Sequence, residues 1–107
     1  MIIDKLFNPV QLGTVATLLY TTPSQKRVMI SKVTVANTTA AAVTFALYLV
    51  PKGDTAGVTN IIVPTRTIEA YGTYDCLSRH VIESGDKLYG LASVAAAVTV
   101  HGSGVRL

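Results

Sequence analysis

Apolar and small polar residues alternate at period two through most of this chain, which leaves little room for helices. From Val43 to Leu49, the apolar Val43, Phe45, Leu47 and Leu49 alternate with Thr44, Ala46 and Tyr48. Successive side chains of an extended strand point to opposite faces, so such a run presents one apolar face to a core. β-Branched residues reinforce the reading. Val, Ile and Thr supply 35 of the 107 residues, and their stiff χ1 suits a pleated surface better than a helix. The pattern predicts strands over 14–21, 27–37, 43–50, 61–68, 73–77, 87–93 and 98–105. Within 27–37, Met29, Val33 and Val35 fall on one face and Val28, Ile30, Lys32 and Thr34 on the other. Turn formers recur between the strands, among them Thr22-Pro23-Ser24-Gln25, Pro51-Lys52-Gly53-Asp54 and Glu83-Ser84-Gly85-Asp86. Pro64 cannot donate to a ladder, so its strand is broken there or lies at a sheet edge. Seven to eight short strands with regular turns predict an all-β, antiparallel β-sandwich of jelly-roll or Greek-key type, one domain over 14–107.

Composition narrows the function classes. Hydrophobic residues make up 50% and charged residues only 14%, too apolar and too weakly charged for a disordered segment. One cysteine builds neither a disulfide framework nor a multi-cysteine zinc site. No apolar run approaches the roughly 20 residues that span a bilayer, so no membrane partner is expected. The net charge of +3 is thinly spread from Lys5 to Arg106, without the dense basic stripe and interleaved aromatics of a nucleic-acid reader. No direct nucleic-acid contact is expected.

The residues that could carry chemistry are scattered. Glu83 and Asp86 bracket a turn, where carboxylates accept local backbone hydrogen bonds. Cys76 and His80 are four apart, but no third group is placed to orient the imidazole. His80 and His101 lack companion ligands. His101-Gly102-Ser103-Gly104 lacks the pattern of a nucleophile elbow, and its glycines mark a bulge or the close approach of another backbone. The expectation is a non-enzymatic protein with no cofactor and no metal.

Apolar residues beyond the needs of one core point to contacts with other chains. Residues 1–13 read as an N-terminal arm carrying Ile2, Ile3, Leu6, Phe7 and Val10, laid across its own sandwich or extended onto a neighbour. If Phe45, Leu47 and Leu49 face the core, Tyr48 faces out beside Ala46 and Val50, on a face apolar enough to need a cover. A partial repeat aligns Lys32-Val33 and Ala40-Ala41-Ala42-Val43-Thr44 with Lys87-Leu88 and Ala95-Ala96-Ala97-Val98-Thr99. It predicts two small-residue loops at corresponding ends of the sheets, with Thr38, Thr39, Ala40, Ala95 and Ala96 as contact residues.

The runs Pro9-Val10-Gln11-Leu12-Gly13-Thr14, Leu19-Tyr20-Thr21-Thr22-Pro23 and Lys26-Arg27-Val28-Met29-Ile30-Ser31-Lys32-Val33-Thr34-Val35-Ala36-Asn37-Thr38, with Val43 to Pro51, Gly53 to Gly57 and Glu83-Ser84-Gly85-Asp86, resemble small β-sandwich structural proteins of tailed bacteriophages. The sequence departs from them at Ser24-Gln25, where such proteins often carry a small residue and Gly. The resemblance implies a virion component without catalysis, made in the bacterial host cytoplasm. It is similar to capsid decoration (cement) proteins, with a neck, tail or fibre part, or a receptor- or carbohydrate-binding sandwich, as alternatives. It implies as partners the chain itself, as a homo-oligomer such as a trimer, and the major capsid protein or other virion proteins.

Overall fold

A computed structural model describes residues 2–76 and 79–106. Nine strands are present among them: β1 (Ile2–Gln11), β2 (Thr17–Thr21), β3 (Val28–Asn37), β4 (Val43–Val50), β5 (Ile61–Ile68), β6 (Thr73–Cys76), β7 (His80–Ile82), β8 (Lys87–Ala92) and β9 (Val98–Arg106). They form two antiparallel sheets. The first has the order β1-β9-β3-β6, with β7 also pairing β3, and the second β2-β8-β4-β5. The core lies between the sheets, with Val28, Val33, Val35, Val98 and Val100 from the first meeting Phe45, Leu47 and Leu88 from the second. The all-β, two-sheet architecture is therefore the one the alternation predicts. No described helix is long and apolar enough to cross a membrane.

Two strands lie outside the seven ranges that the pattern predicts. The segment read as an arm is β1, which runs along β9 from Ile2 opposite Arg106 to Gln11 opposite Thr99. It takes the first of the two courses open to it, across its own sandwich. Leu6, Phe7 and Val10 pack on the core, and Leu12 just beyond them is fully buried. Two glycines of β9 make room. A Cβ on Gly102 would enter the Phe7 ring, and one on Gly104 would strike the backbone carbonyl of Met29. The close backbone approach anticipated for this Gly-x-Gly run is thus the one at Gly104. The second additional strand arises because the 73–82 segment pairs with β3 in two pieces, β6 and β7.

The face assignment in β3 needs correction. Val28 and Ile30 are core residues, 0% and 2% exposed, on the same face as Val33 and Val35. Strict alternation would put these pairs on opposite faces. The register against β9 shifts between Ile30 and Lys32, and an extra residue in a strand reverses which parity faces inward. Lys32 and Thr34 remain on the outer side, where Asp75 of β6 accepts a hydrogen bond from Thr34 Oγ1 at 2.8 Å and lies 3.7 Å from Lys32 Nζ. Pro64 sits in β5, which among the described residues pairs only with β4, at the sheet edge, where a missing donor costs no ladder bond.

Candidate interaction surfaces

Four connections gather at one end of the sandwich: 12–16, 38–42, 69–72 and 93–97. The two Ala-rich loops lie side by side, since Thr38 donates from its backbone N–H at 2.9 Å and from Oγ1 at 3.1 Å to Ala97 O. Ala96 N donates to Leu12 O at 3.2 Å and Tyr71 N to Thr39 O at 3.1 Å, so each connection is tied to a neighbour. Thr38, Ala40, Ala95 and Ala96 are exposed and Thr39 is half-buried.

Asn37 anchors this end, and its role was not foreseen from the sequence. It is 3% exposed. Its Nδ2 donates to Ala41 O at 2.8 Å, Glu69 O at 3.0 Å and Ile68 O at 3.2 Å. Its Oδ1 accepts from Thr39 Oγ1 at 2.8 Å and Thr39 N at 3.0 Å. The bond to the backbone two residues on is an Asx turn. The Asn-Thr-Thr sequence signals that turn, but not the reach to β5.

The other contact candidates divide. Leu6, Phe7 and Val10 are partly buried against their own core. Ile2 and Ile3 belong to β1, with side chains outside the described residues. Tyr48 is half-buried on the outer face of the second sheet, opposite Tyr89, which in turn faces Leu18, while Ile61 stands opposite Tyr48 on the other side. Directly opposed residues share a face, so Leu18, Tyr89, Tyr48 and Ile61 form a row across all four strands. Ala46 and Val50, expected to be uncovered beside Tyr48, are each 1% exposed within the single chain.

The groups considered for chemistry stay apart. Cys76 is buried opposite Val33. His80 stands opposite the core residue Ile30 and His101 opposite the outward Thr34, which places the imidazoles on opposite faces of one sheet. Asp86 closes its turn, accepting from Lys52 N at 3.1 Å and Glu83 N at 3.0 Å. No group of three or more His, Cys, Asp or Glu able to hold a metal occurs among the described residues. A cleft of about 380 Å³ opens between the edges of β5 and β6. There the Arg66 guanidinium lies 4.7 Å from the centroid of the Tyr74 ring, and that ring stands 5.5 Å from Phe45. The contact extends the core outward through a cation–π pair. Comparison with family models, curated proteins and solved structures returned no match.

Proposed function

We propose that the chain is a non-enzymatic structural protein of a tailed-phage virion, a capsid decoration protein that stabilises the head through repeated subunit contacts. The observation that carries the reading is the nested strand pairing. β1 pairs β9, β2 pairs β8, β3 pairs β6 and β7, and β4 pairs β5. This is an antiparallel ribbon folded back on itself and wrapped into two sheets, and we take it as a jelly roll with one strand divided into β6 and β7. Jelly rolls recur in viral capsid domains as well as in lectins and cupins. The fold alone does not choose among these. The resemblance of the strands to small phage structural proteins favours the virion reading. The dispersal of Cys76, His80, His101 and the carboxylates favours a role without catalysis.

A protein of this kind acts by mass action, because many copies bind the assembled state and not its disassembled parts. Mass spectrometry of purified virions tests the assignment. The chain is expected in intact particles at a copy number comparable to that of the capsid subunits. Its absence from such particles rejects the assignment, and a copy number near that of a tail or neck ring moves it to those parts.

A further inference from the structure

We infer that the alanine-rich end of the sandwich is where copies of this chain meet one another. The inference takes up the homo-oligomer of the virion reading and gives it a surface, and its test needs no virion.

The first observation is the distribution of charge. Glu69 is the single charged residue in the four connections of this end. Lys26, Arg27, Lys52, Asp54, Glu83 and Asp86 occupy connections of the other end. A chain of net charge +3 repels its own copies, least where the meeting surfaces carry almost no charge. A second copy fits this end without a like-charge cluster. A strongly charged partner would find only Glu69 there to pair with.

The second observation is what the end displays. Val15, Tyr71 and Val94 are 73%, 72% and 51% exposed, three of the six large apolar side chains left uncovered among the described residues. They rise beside the small side chains of the Ala-rich loops, so one copy offers projecting groups and a neighbour the flat patches that receive them. Tyr71 and Ala96 hold φ at 56° and 59°, as Gln25 does at 60° in a turn of the other end, a left-handed conformation costing a residue with a Cβ about 1–2 kcal/mol. Gly or Asn is the commoner choice at such a position in an exposed turn. Here an aromatic ring is held out to solvent instead, 72% exposed.

The third observation is size. The strands run along the longest dimension of a 42 × 27 × 19 Å molecule, because ten residues of strand span about 33 Å. The end is then 27 × 19 Å between Cα atoms, an outline on the order of 500 Å² against the ~800 Å² per partner of a standard stable interface. The contact is therefore reversible, formed at high concentration or when copies are held side by side.

Sedimentation velocity of the purified chain between about 10 μM and 1 mM tests the inference, with Tyr71→Asp/Val94→Asp and Val58→Asp as variants. Val58 is 89% exposed in a connection of the opposite end, so its replacement controls for a charge placed elsewhere. Asp tolerates the positive φ at position 71, and the double variant is expected to melt at the parent temperature. If it does not, Val15→Asp takes its place. The expected result is a weight-average mass that rises with concentration above 11.3 kDa for the parent and for Val58→Asp, persists in high salt, and stays at the monomer value for the double variant. A parent monomeric throughout overturns the inference. So does a double variant that associates as the parent does, or a Val58→Asp variant that loses association. Association of the parent together with absence from virions keeps this surface while rejecting the virion reading.

Discussion

Two buried polar residues at opposite ends of the sandwich show how differently a side chain can serve the same fold. Asn37 is buried with both ends of its amide engaged, binding the β3–β4 connection to the end of β5. Removing it leaves one buried and two partly buried backbone acceptors without their donor, and a buried one costs about 1–3 kcal/mol. Asn37→Ala is therefore expected to destabilise the chain by about 3 kcal/mol, read from urea unfolding. A loss below about 1 kcal/mol would mean that the carbonyls find other donors. Thr22 is the opposite case. It is 2% exposed, and its backbone groups are bonded to Asp86 and Gly85, but its Oγ1 has no partner among the described residues. Val keeps the shape and removes the hydroxyl. Thr22→Val is expected to stabilise by about 1 kcal/mol, a rise of roughly 4–8 °C in melting temperature for a domain of this size. A fall on substitution would show that the hydroxyl serves a bond.

At the level of the strand, β1 changes what a truncation should do. A free arm could be removed without harm to the domain. Here Phe7 fills the space above Gly102, and Leu6 and Val10 pack on the core. Deleting residues 1–11 would uncover β9 and its glycines, and the remaining chain is expected to lose its cooperative thermal transition in circular dichroism. Phe7→Ala, which keeps the strand, is expected to cost about 2–4 kcal/mol. A truncated chain that melted at the parent temperature would make β1 an appendage. The sequence patterning made the strands legible wherever alternation was unbroken. β4 and β5 fall at 43–50 and 61–68 as the pattern predicts, and Pro64 marks an edge. It failed at β3, because a bulge between Ile30 and Lys32 leaves no mark in composition and reverses every face assignment before it. It failed also to join β1 to β9, since pairing between strands so distant in the chain is set by packing and not by local pattern. Of the contact candidates, the loop residues could be placed from the Ala-rich repeat. Asn37 could not, because its partners on β5 are joined to it only by the fold.

For the molecule as a whole, the nested pairing orders the events of folding. β4 and β5 are neighbours in sequence, whereas each successive pair outward closes a longer loop, ending with β1 on β9. Loop-closure entropy rises with the length closed, and folds dominated by distant pairings fold slowly, in milliseconds to seconds. The cheapest start is the β4–β5 pair, because Leu47 and Val63 face each other across it within the core. β8 can then dock on β4, and β9 on β3, before β1 finds its place. Truncations that lower stability by more than about 0.6 kcal/mol make this measurable. Val63→Ala, on β5, is expected to slow folding, with a φ-value of about 0.5 or more, whereas Phe7→Ala, on β1, is expected mainly to speed unfolding, with a φ-value near zero. The opposite pattern, with Phe7 high and Val63 low, would place the long-range β1–β9 closure in the nucleus. The two ends of the chain would then have to meet before the hairpin between β4 and β5 could form.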